Sequence, residues 1–474
     1  MIIDYIKEQI FGNFGHNPTS QQSKVVDLLA SFVCSDKPKE VFILRGYAGT
    51  GKTSLVSALV KTMNQLERRC VLMAPTGRAA KVLAKYAEFP AYTIHKRIYM
   101  YDLKSQLLAS SSSYSPTYGR NVALNKDKNV VFVVDEASML DMDTGILDDL
   151  ITYVYSGAGC RLILMGDDAQ LPPVGSTESP ALNADIMAGY GLDVTDYTMT
   201  EVVRQKGESG ILANATYLRE MLTESPYDLH MPSIHFCKDT RNMPGDELVE
   251  AISDSYDRFG IEETAIVCRS NKRANIYNRG IRAQILEYED ELESGDIIMI
   301  AKNNYFWAER LEKEDQKTPF LANGDIAFVN RVRRERKLYG FRFADCELTF
   351  PDYDDMELTA TVLLDTLHAD APSLTAEQGE MLFNKVMEDY ADIRNKQERM
   401  KKLREDPHFN ALQVKYAYAV TCHKAQGGQW KNVFIDQGYV AEDMIGEEYY
   451  RWLYTAFTRA TRKVYLVNYK KNEE

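Results

Sequence analysis

The segment 46–53, Gly-Tyr-Ala-Gly-Thr-Gly-Lys-Thr, fits the pattern GxxxxGK[ST] at every fixed position. It follows the apolar run 41–44, which predicts a buried strand, and it opens a predicted helix over 54–65. In such a strand–loop–helix unit the glycines let backbone N–H groups surround a phosphate at a helix N-terminus. A chance Gly-rich turn would lack this context. The segment therefore predicts a nucleotide site in an α/β fold.

The pattern also assigns roles to individual residues of this loop. We expect Lys52 to reach the β- and γ-phosphates and Thr53 to ligate Mg²⁺. ATP and Mg²⁺ are accordingly the predicted cofactors. The predicted nucleotide-binding residues in this segment are Gly46, Gly49, Thr50, Gly51, Lys52, Thr53 and Ser54.

A second buried run, 130–134, ends in two carboxylates, Asp135 and Glu136. Ligands of α/β sheets bind at the carboxyl ends of the strands. We expect Asp135 to hold Mg²⁺, directly or through water, and Glu136 to orient and deprotonate the attacking water. An acidic cap before a helix is the alternative interpretation, and it is the weaker one beside the phosphate loop.

Composition narrows the class of protein. The 474 residues are 45% hydrophobic, and no apolar run reaches the roughly 18 residues of a membrane span. The N-terminus lacks the features of a secretory signal, and the seven cysteines are scattered without a CxxC pair. We therefore expect a cytoplasmic protein with reduced thiols and no membrane association.

The formal net charge of −13 argues against a general nucleic-acid binder. The distribution of charge matters more, however, because segment 41–100 carries ten Lys or Arg residues and two Glu. A basic surface on an acidic protein and a solvated helix face both remain open as explanations.

Short apolar runs alternate with helix-like patterns in two groups, which predicts two α/β domains with parallel sheets. The predicted strands are 41–44, 71–74, 130–134 and 162–165 in the first group and 265–268, 416–421, 433–435 and 464–467 in the second. Between them lie a Ser-rich insertion, 101–128, and a larger one, 285–410. The larger insertion is predicted to hold β-like runs at 295–300, 325–329 and 339–343 and a long helical run over about 375–404.

The remaining motifs, taken in order, resemble those of superfamily 1 helicases of the RecD-like and Dda-like branch. The matching segments are 74–84 (motif Ia), 93–96 (Ib), 135–138 (II), 166–175 (III), 201–205 (IV), 421–427 (V) and 454–460 (VI). The resemblance runs from about Gln22 to Val467.

This resemblance implies two tandem RecA-like P-loop domains with ATP between them, a small pin-like insertion and an SH3-like/helical insertion. The expected domains are 1–200 with the insertion at about 101–128, 201–284 together with 411–474, and the inserted domain 285–410.

The resemblance also supplies site residues that the P-loop pattern does not give. Gln22 matches an adenine-contacting glutamine, although the neighbouring Gln21 leaves the register open. Gln170 would couple the γ-phosphate to the attacking water, and Arg204 and Arg459 match two transition-state arginines supplied across the cleft. An ordinary surface ion pair is the alternative for each arginine. The expected catalytic set is Lys52, Glu136, Gln170, Arg204 and Arg459, and Gly427 is expected between nucleotide and DNA.

Positional matches to the family's DNA contacts are Pro75, Thr76, Thr93, His95, Thr421 and His423. Short hydroxyl groups suit phosphate contacts that carry no sequence information. Either histidine is equally well explained as a structural one. Cys422, next to His423, is interpreted as a small apolar side chain rather than a nucleophile.

The expected function is that of an ATP-dependent DNA helicase, with roles in repair or recombination, that moves 5′→3′ on single-stranded DNA and unwinds forked duplex as a monomer. The alternative is a DNA-dependent ATPase motor that remodels protein–DNA complexes or serves in a recombination complex without unwinding on its own. A P-loop switch without nucleic acid is a third interpretation, which the motif Ia and V matches oppose. Protein partners stay open.

Overall fold

The structure is a computed structural model that describes residues 2–100, 121–122, 124–203, 209–224, 229–304, 306–309, 321–353 and 355–469. The chain divides into two compact units. The first comprises Met1–Ile98, Val122–Arg269 and Thr421–Glu474, and the second comprises Tyr99–Asn121 and Ser270–Val420. The three domains expected from the sequence, with boundaries at 200, 284 and 410, stay a prediction.

The first unit contains a sheet of six strands, which we call the first sheet. All of its neighbouring strands run parallel. Their order across the sheet is Ala91–Thr93, Cys70–Ala74, Val131–Val134, Arg161–Gly166, Glu40–Gly46 and Asp193–Met199. The phosphate loop and the carboxylate pair follow two of these strands, so both lie at the carboxyl edge of the first sheet.

Helices cover the first sheet because its central strands are apolar on both faces. Phe42, Leu72 and Val133 are completely buried among helix side chains such as Leu29 and Leu59. Each such side chain contributes roughly 1.5–3 kcal/mol through its burial. The helices along this part of the chain are Ile2–Phe14, Ser20–Cys34, Lys52–Gln65, Gly77–Ala87, Ile94–Ile98, Ile146–Ser156 and Ala184–Gly189.

A second parallel sheet lies in the same unit, and we call it the second sheet. Four of its strands, in spatial order, are Thr264–Cys268, Trp430–Asp436, Ala460–Val467 and Thr240–Met243. The division between the two units falls inside a further strand, Ala419–Thr421. The accompanying helices are Gly210–Glu224, Leu248–Phe259, Cys422–Ala425 and Glu447–Phe457. Two parallel α/β sheets confirm the predicted pair of RecA-like domains.

The second unit is built around a closed barrel of five strands. The strands are Ile297–Ile300, Ile326–Leu338, Phe341–Phe350, Met356–Leu363 and Leu412–Tyr416. Neighbours run antiparallel except the last two, which run parallel. The unit also contains the helices Asn271–Gln284, Phe306–Glu309, Ala376–Asp389 and Lys396–Arg404. The barrel fits the β-rich insertion expected there, and its SH3-like character stays a prediction.

Two buried carboxylates of the second unit accept hydrogen bonds, and one of them is paired with an arginine. The Arg282 guanidinium donates to both carboxylate oxygens of Asp296, at 2.8 and 3.0 Å. A second buried carboxylate, Asp325, accepts from the backbone N–H of Ala322 at 2.6 Å and from the hydroxyl of Tyr353 at 2.5 Å. Burial raises the pKa of Asp325 to about 7.

The segment expected to form a pin lies mostly outside the described residues. Two short strands, Tyr99–Met100 and Asn121–Val122, pair with each other at the two ends of the segment 101–120. Whether residues 101–128 form a rigid pin stays a prediction.

Among the sequence-based boundaries that were wrong, three have an identifiable physical reason. The helix after the phosphate loop begins at Lys52 rather than at residue 54, because Gly51 adopts a left-handed backbone (φ 89°) directly before it. The expected strand 416–421 is interrupted after Tyr416, where the following N–H, of Ala417, donates to the Ile297 carbonyl at 2.9 Å. The expected helix 375–404 is two helices, because Asn395 caps a new one.

No helix in the described ranges is both long enough and apolar enough to cross a lipid bilayer.

Candidate functional site

The phosphate loop joins the strand Glu40–Gly46 to the helix Lys52–Gln65. Gly49 and Gly51 have φ angles of 81° and 89°, which residues other than glycine rarely adopt. The Lys52 ammonium donates to the Tyr47 carbonyl at 3.2 Å and to the Gly46 carbonyl. The hydroxyl of Thr50 also donates to the Tyr47 carbonyl, at 2.9 Å. The loop is therefore closed on itself with the ammonium group folded over it.

Thr53 and Ser54 lie in the first turn of this helix, where Thr53 is half-buried and Ser54 is exposed. Gly46 is the last residue of the strand, and a Cβ there would lie 3.0 Å from the Thr50 hydroxyl. The structure thus brings all seven predicted P-loop residues together in the loop between strand and helix and the first helical turn. Their individual roles stay predictions.

Gln22 braces this loop. It is 2% exposed, its amide N–H donates to the Thr50 carbonyl at 3.0 Å, and its amide oxygen accepts from the Thr19 N–H at 3.0 Å. A Cβ on Gly51 would lie only 2.7 Å from the Gln22 amide nitrogen. The side chain of Gln21, in contrast, is bound to residues 200 and 201. The adenine contact assigned to Gln22 stays a prediction, and its brace on the loop is a contact that the motif pattern does not contain.

The carboxylate pair lies just after the strand Val131–Val134. The Asp135 carboxylate accepts from the N–H of Glu136 at 2.9 Å. Burial, helped by the neighbouring charge of Glu136, raises the pKa of Asp135 to about 6, while the Lys52 ammonium opposes this shift. Lys52 and Asp135 are thus close enough to interact electrostatically across the carboxyl edge of the first sheet.

The loop after the strand Arg161–Gly166 carries Asp167 and Gln170, both of which are buried. The Asp167 carboxylate accepts from the Ala169 N–H at 3.0 Å and from the Tyr454 hydroxyl at 2.6 Å. Burial raises the pKa of Asp167 above its usual value, and the nearby Lys52 ammonium only partly opposes this shift. Among the described residues the Gln170 amide oxygen is buried without a hydrogen-bond partner. A ligand group or a water would fit that acceptor.

Arg459 enters this site from the second sheet. It is 4% exposed, and its guanidinium donates to the Thr455 carbonyl at 3.1 Å. One of its nitrogens lies 3.9 Å from a carboxylate oxygen of Glu136. The structure therefore brings the predicted arginine and the predicted general base together. The other predicted arginine, Arg204, lies outside the described residues.

The helix Glu447–Phe457 contacts the Asp167 loop through three residues on one face, Arg451, Tyr454 and Thr455. The Thr455 hydroxyl accepts from the Leu171 N–H at 2.9 Å, and Arg451 donates to the backbone carbonyls of this loop. Gln426 adds a bond to the Leu171 carbonyl at 2.7 Å. Gln426, like Gly427, was expected between the nucleotide and the DNA, whereas the sequence assigned no role to Arg451, Tyr454 or Thr455. Tyr454 and Thr455 lie in the motif VI segment 454–460, and Arg451 precedes them at i, i+3, i+4 spacing in the same helix, which is the signal that could have found these three residues.

Segments 74–84 and 421–430 meet beside the nucleotide site. Gly427 has φ 72°, and a Cβ there would lie 2.8 Å from the Ala79 Cβ and 3.4 Å from the Thr76 hydroxyl. The Arg78 guanidinium stacks on the Trp430 ring at 3.8 Å. The predicted DNA-contacting residue Thr76 and the predicted coupling residue Gly427 are thus neighbours.

Thr76 and Thr93 are both engaged locally. The Thr76 hydroxyl accepts from the Ala79 N–H at 3.2 Å, and the Thr93 hydroxyl accepts from the Lys96 N–H at 3.2 Å. Each hydroxyl hydrogen is thereby left to donate, which suits a phosphate oxygen. Pro75 directly precedes the first of these caps, and His95 follows the second in the helix Ile94–Ile98.

Thr421 precedes the short helix Cys422–Ala425, which carries His423. Burial lowers the pKa of His423, so this side chain is neutral at pH 7. Burial raises the pKa of Cys422 to about 12, and its thiol donates to the Trp452 carbonyl at 3.5 Å. The thiol therefore stays protonated, which fits a packing role. The DNA contacts assigned to Thr421 and His423 stay predictions.

A phosphate loop on one parallel sheet, a carboxylate pair beside it and an arginine from a second parallel sheet define a P-loop NTPase with two RecA-like domains.

Comparisons with known proteins agree with this class. Residues 19–227 match the AAA domain model, and residues 416–467 match the UvrD-like helicase C-terminal domain model. An uncharacterised protein of Acanthamoeba polyphaga mimivirus is 22% identical, over 94% of this chain and 98% of its own length. The ATP-dependent RecD2 DNA helicase of Deinococcus radiodurans is 30% identical, over 33% of this chain. The match spans only 18% of that relative's length. A solved Pif1 helicase from Bacteroides, in complex with ADP-AlF3 and single-stranded DNA, is 15% identical with a TM-score of 0.46 and covers 96% of this chain and 93% of its own.

The two family models and the helicase relatives, which include the ATP-dependent DNA helicase dda of Enterobacteria phage T4 at 26% identity over 54% of this chain and 55% of its own length, support a superfamily 1 helicase of the RecD and Dda branch.

Proposed function

We propose that this chain is an ATP-dependent DNA helicase that moves 5′→3′ on single-stranded DNA and unwinds forked duplex DNA as a monomer. The observation that carries the proposal is the position of Arg459, which reaches from the second sheet to within 3.9 Å of Glu136 on the first. Hydrolysis that needs groups from both sheets depends on how the sheets meet. ATP turnover is thereby coupled to relative movement of the two sheets, as translocation along DNA requires.

The residues around the phosphate loop fit ATP with Mg²⁺. The left-handed glycines 49 and 51 shape a loop at a helix N-terminus, and Lys52 supplies the charge. Thr53 and Asp135 would hold Mg²⁺, which when bound neutralises charge on the phosphate oxygens. Gln22 keeps the loop in place and is the proposed adenine contact.

The chemical roles follow from the contacts in the site. Glu136 takes the proton of the attacking water, and Gln170 orients that water through its buried amide oxygen. Arg459 and Arg204 stabilise the charge that builds on the phosphoryl oxygens. An arginine supplied in this way is worth about 10³–10⁵ in rate in related phosphoryl-transfer enzymes.

We place the nucleic-acid track on short polar side chains beside a basic segment. Thr76, Thr93 and Thr421 offer hydroxyls, while Pro75, His95 and His423 line the same motif segments. Such groups bind sugar and phosphate without reading the sequence of bases. Because segments 74–84 and 421–430 touch each other, DNA bound along them spans both sheets. This arrangement supports a single-stranded DNA substrate.

The direct test is ATP hydrolysis in Mg²⁺ with and without single-stranded DNA. We expect stimulation of about 10-fold or more by DNA in the wild type. Lys52→Ala is expected to reduce the stimulated rate by about 10²-fold or more, since it removes a positive group from the transferring phosphate.

Lys61→Ala is the matched control. Lys61 lies in the same helix, and its exposed ion pair with Glu88 is worth about 0–1 kcal/mol. A wild-type protein whose hydrolysis ignores DNA would contradict the proposed function. Equal rates for Lys52→Ala and Lys61→Ala would contradict the assignment of the site.

A further inference from the structure

One hydroxyl group joins the phosphate loop to the second sheet. The Tyr454 hydroxyl accepts from the backbone N–H of Ala48 at 3.1 Å and donates to the Asp167 carboxylate at 2.6 Å. Tyr454 and Asp167 are each 1% exposed. Ala48 lies in the phosphate loop, Asp167 begins the loop that carries Gln170, and Tyr454 lies in the helix Glu447–Phe457. Three segments of the site therefore meet at one oxygen atom.

The geometry makes this contact strong. The bond to Asp167 is short and its acceptor is a carboxylate, and hydrogen bonds to charged groups are roughly twice as strong as neutral ones. The Lys52 ammonium and the Tyr454 hydrogen bond both lower the pKa of Asp167, and so both favour its charged form against the effect of burial. Burial keeps Tyr454 protonated, so its hydroxyl remains a donor.

The same helix fixes the arginine. The Arg459 guanidinium donates to the carbonyl of Thr455, the residue next to Tyr454, at 3.1 Å. A helix that is anchored at Ala48 and Asp167 therefore sets the distance from Arg459 to the phosphate loop. Loss of the anchor would let the arginine move relative to Glu136 without removing either group.

We propose that Tyr454 is a positioning residue for ATP hydrolysis, which locks the phosphate loop and the Asp167 carboxylate to the helix that holds Arg459. The inference rests on the proposed function. It concerns the hydroxyl group alone, because the ring of Tyr454 also fills space in the core.

Another tyrosine of the same helix gives a matched control. The Tyr450 hydroxyl donates to the backbone carbonyl of His230 at 2.8 Å, and this side chain is completely buried. Tyr450→Phe removes a buried hydroxyl one helical turn from Tyr454 but leaves the phosphate loop untouched. Any loss common to Tyr450→Phe and Tyr454→Phe reports general stability rather than positioning.

The test measures steady-state ATP hydrolysis at saturating single-stranded DNA, together with binding of fluorescent mant-ADP and Mg²⁺. For Tyr454→Phe we expect kcat to fall by about 10-fold or more, the effect of one hydrogen bond to a charged group. The affinity for mant-ADP is expected to stay within about 2-fold, since the first sheet supplies the proposed nucleotide contacts. Tyr450→Phe is expected to keep kcat within about 2-fold of the wild type.

A second variant, Asp167→Asn, keeps the test decisive if Tyr454→Phe is poorly stable. Asp167→Asn weakens the same bond from its other end, because an amide oxygen is a weaker acceptor than a carboxylate. We expect Asp167→Asn to lower kcat, and Tyr454→Phe combined with Asp167→Asn to lose little more than Tyr454→Phe alone.

Several outcomes would overturn the inference. These are an unchanged or raised kcat in Tyr454→Phe, an equal loss in Tyr450→Phe, a parallel loss of mant-ADP affinity, or losses that multiply in the double variant. Each of these outcomes is compared with a wild-type protein whose ATP hydrolysis is stimulated by DNA. A wild type without stimulation overturns the proposed function instead, so the two failures can be told apart.

Discussion

At the scale of single residues, the phosphate loop is held by side chains that lie far from it in the sequence. Gln22 donates to the Thr50 carbonyl from one side, and Tyr454 accepts from the Ala48 N–H on the other. Groups that are held in position before the reaction need not reorganise during it, which lowers the barrier. The precise shape of this loop is therefore a property of its neighbours as well as of its own glycines.

A buried carboxylate in the barrel gives a prediction about pH. The pKa of Asp325 is about 7 in the folded protein, against roughly 4 in an unfolded chain. Between these values the folded state binds more protons than the unfolded state, so stability falls as pH rises and the full cost is present above pH 7. We expect the barrel to lose about 2–4 kcal/mol between pH 5 and pH 8, and Asp325→Asn to abolish that loss.

Hydrogen exchange of the amides in Ile326–Leu338, corrected for intrinsic rates, measures this change locally. Asp392→Asn, at an exposed carboxylate in the same unit, is the control and should behave as the wild type. If Asp325→Asn keeps the pH dependence of the wild type, Asp325 is not its source.

The position of Lys52, Asp135 and Glu136 at the carboxyl edge of one sheet could be predicted from the sequence because each motif directly follows an apolar strand. The contacts of Gln22 and Tyr454 could not. Each joins residues that are 28 or 406 positions apart, and a hydrogen bond between distant segments leaves no local pattern. A motif can suggest that Gln22 or Tyr454 has a role, but tertiary packing decides which groups each side chain contacts.

At the scale of helices and strands, the close approach of two segments requires a glycine. Gly427 lets the loop 421–430 lie against the helix Gly77–Ala87, where a Cβ would meet Ala79 at 2.8 Å. This contact joins the first and second sheets on the side of the predicted DNA track. We infer that it passes movement from the DNA to the nucleotide site.

Gly427→Ala tests that contact. The added methyl group overpacks the junction at a cost of about 1–3 kcal/mol, so we expect DNA-stimulated hydrolysis to fall by about 10-fold. Gly438→Ala is the control, because Gly438 has a similar φ of 66° but open space around its Cβ position. Both substitutions strain a backbone with positive φ, but only Gly427→Ala also brings its methyl group into a clash with Ala79. Similar rates in the two variants would refute a role for the junction.

Replacement of the segment 101–120 tests the predicted pin. Its flanking strands, Tyr99–Met100 and Asn121–Val122, pair with each other, so a short Gly-Ser linker can join them. If this segment separates the DNA strands, the exchanged protein keeps DNA-stimulated hydrolysis and loses unwinding of a forked duplex. Unwinding at the wild-type rate would show that the pin lies elsewhere. A wild type with strong hydrolysis and no unwinding would favour the alternative of a motor that remodels protein–DNA complexes.

Continuous apolar strands such as 130–134 were predictable because burial on both faces leaves a recognisable pattern. The edge strand Asp193–Met199 was missed, since its residues are mostly polar and only half-buried. The break at 390–395 was missed as well, because the apolar spacing continues across it and only the cap at Asn395 marks a new helix. Element type followed from local sequence, and element ends followed from caps and long-range bonds.

At the scale of the whole molecule, the first unit holds both halves of the proposed ATP site in one chain. Arg459, Tyr454 and Gln426 of the second sheet all contact loops of the first. The presence of groups from both sheets in one polypeptide fits the proposed activity as a monomer. The net charge of −13 together with a basic segment at 41–100 fits an acidic protein that binds DNA along one face.

We propose that ATP turnover moves this protein 5′→3′ along single-stranded DNA. The most direct measurement compares strand separation on duplexes that carry only a 5′ tail or only a 3′ tail, with ATP and Mg²⁺, at equal protein and DNA concentrations. We expect unwinding of the 5′-tailed duplex and little unwinding of the 3′-tailed one, with Lys52→Ala inactive on both. Unwinding that requires a 3′ tail would contradict it.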